Sequence, residues 1–322
     1  MTKKVLLRKA PDKPSQLGRR GWWGVLKRTA REFQDDKLLD WAAALTYYGI
    51  LSLFPGLLVV VSLVGLAGVS GQQTLIDNIR QITRGQLRET LVSIIQSMQG
   101  TRPTAGVFAL AGLAVALWSA SKYVAAFIRA MNAVYDMPEG RPFWKLAPLR
   151  IGLTLAMVLM LGLSAIAVTF TGRLAEQTGK LLGFGSAFVT GWNVLKWPVL
   201  LGVVMVAIAT LYWASPNVRQ PGWRWVTPGC LVAMGSWIVA SAGFAVYVSN
   251  FGSYNKTYGA LAAVVVFLVW MWVSNVAILL GAEFDAELVR GRKIAEGVPA
   301  GDEPFAEPRD TRTMDEDDEP GL

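Results

Sequence analysis

The stretch Tyr254–Leu288 reads YNKTYGALAAVVVFLVWMWVSNVAILLGAEFDAEL. Between Lys256 and Glu283 it holds 26 residues without a formal charge. As a helix these would extend about 39 Å at about 1.5 Å per residue, against a hydrocarbon core roughly 30 Å thick. The helix would be apolar on every face, because residues 264–270 are all hydrophobic, whereas buried helices of soluble proteins are usually shorter. The stretch therefore predicts a helix that crosses a membrane.

The composition of the whole chain is that of a membrane protein. Of its 322 residues 53% are hydrophobic and only 17% are charged, and 13 are tryptophan. A soluble chain of this length would carry more charge, so we predict a single membrane domain. The net charge of +8 does not indicate a nucleic-acid partner, because basic residues in a membrane protein first serve to set its orientation.

Several segments resemble the YihY/BrkB family of bacterial membrane proteins. In the stretch quoted above, the resemblance rests on the asparagine-tyrosine-glycine start, the Trp-rich middle and the end Gly281-Ala282-Glu283. It extends to Ala42–Gly65, Leu117–Tyr135 and Tyr247–Tyr258, and so covers most of residues 30–290. The resemblance implies an envelope protein of the bacterial inner membrane. The family includes virulence factors and once carried the name ribonuclease BN.

The uncharged segments predict an all-α integral membrane bundle of six transmembrane helices within residues 41–290. Their approximate bounds are 41–71, 103–121, 151–172, 197–213, 225–249 and 257–282. Segments of this length can cross the hydrocarbon core. Pro55 interrupts the first of them and removes one backbone hydrogen bond, so we expect a kink there.

Amphipathic helices are predicted before and after the first membrane helix. Residues 1–40 form a basic cytoplasmic segment whose apolar residues recur at helical spacing, namely Trp22, Leu26, Ala30 and Phe33. This pattern suits either a helix at the lipid headgroups or a short helix packed on the bundle, and the sequence leaves both open. The first outer loop, residues 72–102, carries two further amphipathic patterns around Gly85, which suit short helices on the outer membrane surface.

The distribution of basic residues predicts the orientation of the bundle. With both termini in the cytoplasm, 23 of the 31 Lys and Arg residues lie inside and eight lie outside, as the positive-inside rule requires. After about residue 291 the chain becomes Pro-rich and acidic, which predicts a disordered cytoplasmic tail over 291–322. We therefore expect a multi-pass protein of the bacterial inner membrane with cytoplasmic N- and C-termini.

Charged residues gather near the predicted cytoplasmic ends of the first, second and sixth membrane helices. They are Asp40, Lys122, Arg129, Glu283 and Asp285. Lys122 and Arg129 are seven residues apart and share a helix face. If the second and sixth membrane helices are neighbours, Glu283 could approach either residue and pair with it. Two interpretations stay open: these residues bind the anionic headgroup of a substrate, or they are interfacial anchors that set orientation.

Two further sets of residues are candidates for a site. On the first membrane helix Tyr48, Ser52 and Pro55 share a face, which is either a helix contact or the lining of a polar cavity. The outer hairpin between the fifth and sixth membrane helices is polar, and its residues are Asn250, Tyr254, Asn255, Lys256 and Tyr258. Turn chemistry alone can account for such residues, and an outer binding site is the alternative.

The sequence lacks the motifs of known enzyme classes. It holds no histidine and a single cysteine, Cys230, so the His-rich sites of metallo-nucleases and the His acid–base pairs of metal-free ribonucleases are not available. An all-carboxylate metal site would need several acidic side chains in one pocket. No nucleotide-binding loop or nucleophile elbow is present. We therefore predict no enzyme activity, no cofactor and no bound metal.

The arrangement of the helices indicates transport of a lipid or another amphiphilic anion without ATP hydrolysis. A kinked first helix, an aromatic-rich sixth helix and charges confined to helix ends would let a lipid tail stay in the bilayer while its headgroup meets polar residues. Membrane lipids are therefore the expected partners, no nucleic acid is expected, and a homo-oligomer is left open. The alternatives are a membrane-associated ribonuclease, as the older family name implies, and a membrane scaffold.

Overall fold

The structure is a computed structural model that describes most of the predicted membrane domain and its flanks. The described residues are 18–66, 76, 89, 92, 102–169, 186–220, 226–249, 260–299, 301 and 303–314. Among them, an isolated bridge between Val218 and Pro308 is the one β interaction. The helices they form are α1 (Arg19–Asp35), α2 (Leu38–Leu66), α3 (Arg102–Val134), α4 (Phe143–Thr169), α5 (Ser186–Ala214), α6 (Pro228–Ser249) and α7 (Ala260–Glu296). The predicted all-α class is therefore confirmed for the described part of the chain.

Five of these helices, α3 to α7, are long and apolar enough to cross a membrane. Helix α2 is a further apolar helix of 29 residues. Its side chains are described over Leu38–Leu53 only, and this part is shorter than a span. The multi-pass character is therefore confirmed, while the sixth span is still a prediction.

Two membrane helices begin earlier than the sequence predicts. Helix α4 begins at Phe143 instead of residue 151, and α5 at Ser186 instead of residue 197. The predicted bounds stopped at charged residues and prolines. Lys196 is accommodated inside α5 because its ammonium lies 5.6 Å from the centre of the Trp197 ring, a contact that lowers the cost of holding a charge in an apolar helix.

Large apolar side chains are exposed on the outer surfaces of the helices. On α4, Leu159, Leu161 and Leu163 are 65%, 70% and 61% exposed, and Val239 on α6 is 73% exposed. Soluble monomers rarely leave such continuous apolar surface in water. Contact with lipid hydrocarbon removes this surface from water, as expected for helices that cross a membrane.

The described chain divides into two compact units. Unit 1 consists of the described parts of Met1–Trp41, Phe127–Ile238 and Val276–Leu322, and unit 2 of those of Ala42–Ala126 and Val239–Asn275. Helices α2, α3, α6 and α7 contribute residues to both units. Helices α1, α4 and α5 belong to unit 1, where α4 and α5 pack against each other.

Helix α1 packs on the C-terminal part of α7 in unit 1. Val25 is fully buried against Phe284 and Leu288, and the ring of Trp22 stacks on that of Phe284 with centroids 6.2 Å apart. The neighbouring Trp23 is largely exposed. Of the two interpretations of the N-terminal pattern, packing on the bundle is observed, and contact of the exposed face with headgroups stays a prediction.

The segment Glu303–Met314, called the strap below, packs across the loops of unit 1. The Arg309 N–H donates to the Asn217 carbonyl at 2.9 Å, and the Thr313 N–H donates to the Gly140 carbonyl at 3.2 Å. Phe305 of the strap is buried, and its ring lies 6.0 Å from that of Tyr135.

Over the described residues 291–299, 301 and 303–314, this arrangement differs from the disordered tail predicted over 291–322, whose remaining residues lie outside the described set. Helix α7 continues to Glu296, and the strap then binds the loops through its backbone. The acidic, Pro-rich composition pointed to disorder because it offers little apolar surface. Order arises instead from backbone hydrogen bonds, which composition does not reveal.

Some predicted features lie outside the described residues. Within the predicted outer-loop helices over 72–102, only residues 76, 89 and 92 fall in the part of the chain that the structure describes, and each is helical. Pro55 lies within α2, but its side chain is outside the described set. The outer-hairpin residues Asn250, Tyr254, Asn255, Lys256 and Tyr258 are outside it as well.

Candidate functional site

The C-terminal part of α7 presents a row of buried charged residues to α1. Glu283, Glu287 and Arg290 are four and three residues apart, so their side chains share one face of the helix. Glu283 and Glu287 are each 1% exposed and Arg290 is 5% exposed. Charged groups buried to this degree must be paired or neutralised.

Two arginines bind three of the carboxylates in this region. The Arg28 Nε of α1 donates to the carboxylate of Glu287. The Arg290 Nη1 lies 3.3 Å from Glu32 Oε1 and 3.4 Å from Glu287 Oε1, and its Nη2 donates to Glu303 of the strap at 2.6 Å. These charge-assisted hydrogen bonds join α1, α7 and the strap.

Two half-buried aspartates lie beside these pairs. Asp36 is the C-cap of α1. Asp136 follows α3 with a left-handed φ of 48°, a conformation that Asp adopts more readily than most residues. Asp36 is the charged group that acts most strongly on the buried Glu283. The acid cluster, as we name it here, consists of Glu32, Asp36, Asp136, Glu283, Glu287 and Glu303.

The carboxyl groups of the acid cluster outnumber the arginines that bind them, Arg28 and Arg290. Burial raises the free energy of the ionised carboxylates. Burial, followed by the negative charges of Asp136 and Glu32, raises the pKa of Asp36 to about 7. Burial and the charge of Glu303 raise the pKa of Asp136 to about 6, although Arg290 opposes this shift. Carboxyl groups in such surroundings favour the protonated form, so the cluster retains protons up to near-neutral pH.

The acid cluster is not arranged as a metal site. Across the described ranges, no group of three or more Asp, Glu or Cys side chains is placed so that it could hold a metal ion. The carboxyl oxygens face arginine nitrogens and one another instead. Proton binding and ion pairing are therefore the chemistry that this geometry supports.

Asp285 faces α6 and caps its N-terminus. Its Oδ1 accepts a hydrogen bond of 2.7 Å from the N–H of Gly229, in the first turn of α6, where the helix dipole favours a negative charge. Thr227 is the N-cap residue, because its Oγ1 accepts the N–H of Cys230 at 3.1 Å, and Pro228 occupies the first helical position. These contacts give Asp285 a structural role where α6 meets α7.

The other charged residues singled out in the sequence lie on exposed surface. Lys122 is exposed with its ammonium 5.9 Å from the centre of the Trp118 ring, and Arg129 and Asp40 are exposed as well. The charged groups that act most strongly on Glu283 are all acidic, with Asp36 the strongest. Glu283 thus faces carboxyl groups of α1, whereas the sequence suggested a basic partner, because spacing along one helix does not define which neighbour it meets.

In unit 2 a chain of hydrogen bonds links three helices. The Tyr123 hydroxyl of α3 donates to Asn275 Oδ1 of α7 at 2.9 Å, and Asn275 Nδ2 donates to Thr46 Oγ1 of α2 at 3.1 Å. The Thr46 hydroxyl in turn donates to the Ala42 carbonyl at 2.8 Å. Such bonds hold membrane helices together. These bonds were not predicted from the sequence, although an amide within an uncharged stretch of this length is a usable signal.

An apolar groove lies beside Thr46 between α2 and α7. Its volume is about 500 Å³, within the range of small-molecule sites. The lining is almost entirely apolar and consists of Ala43, Thr46, Tyr47, Ile50, Leu51, Leu268, Val269 and Trp272. This groove could hold the apolar part of a ligand.

Of the predicted face of Tyr48, Ser52 and Pro55, the two residues whose side chains the structure describes, Tyr48 and Ser52, do not line that groove. The Ser52 hydroxyl donates to the Gly49 carbonyl at 2.6 Å, and the Tyr48 ring lies 5.4 Å from the ring of Tyr47. Both side chains are partly buried. The groove is bordered by the adjoining face of α2, which carries Tyr47 and Leu51.

The described residues define a helical, multi-pass membrane protein with ion-paired carboxyl groups in the C-terminal part of α7. Comparison with known families identifies it further: the family described as "Virulence factor BrkB" matches residues 29–304. The chain therefore belongs to the BrkB family, as its sequence resemblance predicted.

Named relatives cover most of the chain. It is 29% identical over 260 residues to the ribonuclease-like protein YfkH of Bacillus subtilis, covering 80% of this chain and 92% of YfkH. A "UPF0761 membrane protein" of Aeromonas salmonicida is 31% identical over 271 residues, covering 79% and 85%. That of Alkalilimnicola ehrlichii is 32% identical over 273 residues, covering 80% of this chain and 57% of its own length. No solved structure matches the chain.

Proposed function

We propose that this protein moves a lipid or another amphiphilic anion across the bacterial inner membrane without hydrolysing ATP. The observation that supports this proposal is the apolar groove between α2 and α7. Its aliphatic and aromatic lining suits an acyl chain, since burial of such a chain is favourable in proportion to its apolar area. The hydrogen-bonded pair of Thr46 and Asn275 gives one side of the groove a polar border.

A filled groove is expected to lose transport. Ala43→Trp places an indole in the groove, and we expect liposomes containing this variant to flip fluorescent anionic phospholipid at the rate of protein-free vesicles. Val115→Trp is the matched control, because Val115 is exposed on α3 and does not line the groove. If wild type and both variants flip the phospholipid at the same rate, the groove has no role in transport. No flipping by wild type would contradict the proposed function itself.

We further propose six spans, with α2 as the first, and both termini in the cytoplasm. The bias of basic residues supports this orientation. With Cys230→Ser as background, cysteines introduced as Ser15→Cys and Thr311→Cys should be protected from an impermeant thiol reagent in intact cells, whereas Ser253→Cys should react. Protection of all three sites, or labelling at Ser15→Cys or Thr311→Cys in sealed cells, would contradict this topology.

The proposal gives the protein no enzymatic activity. The name of YfkH calls that relative ribonuclease-like, and the alternative rests on this wording and on the older family name. In this chain the buried acids of unit 1 are held by arginines and by one another, and the sequence has no histidine to act as acid or base. Cleavage of RNA that co-purifies with the protein would favour the alternative.

A further inference from the structure

We propose that the outer face of α1 binds the headgroups of anionic phospholipids at the membrane surface where α7 leaves the bilayer. The site is separate from the groove and does not depend on the transport proposed above. It rests on the depth at which α1 packs on α7, on the exposed apolar residues of α1 and on the basic residues beside them.

The packing of α1 on α7 places α1 at the depth of the lipid headgroups. Residues 260–282 of α7 carry no formal charge and extend about 35 Å at about 1.5 Å per residue, enough to cross a hydrocarbon core roughly 30 Å thick. Val25 of α1 packs against Phe284 and Leu288, which lie about 3 and 9 Å beyond this uncharged part along the helix axis. The headgroup layer is about 5 to 8 Å thick on each side of the core, so α1 lies within it or directly beside it.

Helix α1 has an inner and an outer face of different character. The inner face carries the fully buried Val25 and Arg28, whose Nε donates to Glu287 of α7. On the outer face Trp23 is 71% exposed and Leu26 is 49% exposed. These two residues are three positions apart, so they are neighbours on the helix surface. Tryptophan is favoured at membrane–water interfaces, and contact with lipid removes the apolar surface of both side chains from water.

Four basic residues of α1 are exposed beside this apolar pair, namely Arg19, Arg20, Lys27 and Arg31. Arg31 pairs with Asp35 at 3.2 Å, whereas the other three form no ion pair with any residue that the structure describes. Asp35 is the one exposed acidic residue of α1, so the outer face has a net positive charge. Helices with exposed tryptophan and leucine beside basic residues lie on anionic membrane surfaces.

The remaining carboxyl groups of α1 do not cancel this positive charge. Glu32 lies 3.3 Å from Arg290 of α7, and Asp36, the C-cap of α1, is half-buried. Both belong to the inner side of the helix, where arginines offset their charge. Because the outer face has an excess of cations, it favours a lipid with a net negative charge over a zwitterionic one.

Spin-label accessibility in the full-length protein tests the proposal. With Cys230→Ser as background, Leu26→Cys carries a nitroxide, and the protein is placed as one copy per nanodisc in phosphatidylcholine, with or without phosphatidylglycerol as one lipid in three. With phosphatidylglycerol, we expect collisions of the label with an uncharged, water-soluble nickel chelate to fall several-fold, and collisions with membrane-dissolved oxygen to rise. A label at Thr311→Cys, which is exposed on the strap, is the positional control and should meet the chelate equally in both discs.

A pair of charge variants tests the selection of anionic lipid. Arg20→Gln combined with Lys27→Gln should remove most of the protection that phosphatidylglycerol gives the label. Since neither side chain forms an ion pair with a described residue, this double variant should melt in detergent at the wild-type temperature. Arg219→Gln combined with Arg312→Gln is the matched control, because it removes two exposed arginines outside α1, and it should keep the protection.

Three results would overturn the proposal. If the chelate reaches the Leu26→Cys label freely in both discs, α1 does not bind lipid. If the label is protected equally in both discs, or stays protected in Arg20→Gln with Lys27→Gln, the face does not select anionic lipid. If protection occurs only in vesicles that hold several copies and not in the single-copy nanodiscs, a second copy of the chain covers the face instead.

Discussion

Gly281→Ala should prevent the close approach of α6 and α7 in unit 1. A Cβ at residue 281 would overlap the carbonyl oxygen of Gly229, and it would lie 2.6 Å from Ala233 Cβ and 2.7 Å from Tyr212 Oη. The hydroxyl of Tyr212 donates to the Ile278 carbonyl in the same place. Because the overlap involves backbone and not a flexible side-chain end, relief requires the helices to separate.

We expect the free energy of unfolding to fall by about 3 kcal/mol or more. Overpacking contributes about 1 to 3 kcal/mol, and each hydrogen bond that breaks contributes about 1 kcal/mol. Loss of the Asp285 cap on Gly229 would follow from the separation, since that bond spans the two helices. The measurement is the melting temperature of the purified protein in detergent, together with the fraction that elutes as a single species.

Gly235→Ala is the matched control for this prediction. Gly235 lies on α6 six residues after Gly229, and a Cβ there meets no atom within 4 Å. Alanine also has the better helix propensity, so this variant should be as stable as wild type or slightly more stable. Equal melting temperatures for Gly281→Ala and Gly235→Ala would show that the close approach of α6 and α7 is not needed.

Asn217→Ala should release the strap. Asn217 is fully buried, and its side-chain amide donates to the carbonyls of Pro138 and Asp310 at 3.2 and 2.8 Å while its Oδ1 accepts the Asp310 N–H at 3.1 Å. Its backbone N–H donates to Asn132 Oδ1 at 2.8 Å. Alanine would leave buried carbonyl and N–H groups unsatisfied, each at a cost of about 1 to 3 kcal/mol.

Limited proteolysis should detect this release as rapid cleavage between α7 and residue 314, whereas wild type resists. Gly140→Ala should have the same effect, because a Cβ at residue 140 would overlap the carbonyl oxygen of Asp310. Arg219→Gln is the control, since its ion pair with Glu307 is exposed and measures 3.5 Å, and such pairs are worth about 1 kcal/mol or less. If the strap is cleaved as fast in Arg219→Gln as in Asn217→Ala, Asn217 has no special role in holding it.

Much of the helical framework could be predicted from runs of uncharged residues. From residue 260, where the described part begins, the span predicted at 257–282 lies within α7, and that at 225–249 nearly coincides with α6. Hydropathy succeeds here because membrane thickness sets a minimum length for such runs. It failed at the starts of α4 and α5, where isolated charges and prolines fall inside a helix.

Most of the candidate site could not be predicted from the sequence. Glu283 was recognised, but its neighbours come from α1, and the Arg28 pair with Glu287 joins residues 259 positions apart. Periodicity shows which residues share a face, and it does not show which helix that face will meet. A usable signal did exist: Arg28, Glu32 and Asp36 recur every four residues on α1, which matches the charged row of Glu283 and Glu287.

The strap has a consequence for how this protein is made. Residues 303–314 leave the ribosome after the seven described helices, so the side-chain amide of Asn217 and the close approach at Gly140 find their partners in the strap only after α7 has been synthesised. A nascent chain whose translation stops before Glu303 can insert its helices yet leaves these loops open and polar groups unsatisfied. Membrane proteases can therefore distinguish a chain with a bound strap from one that stops before residue 303, because only the second exposes these loops.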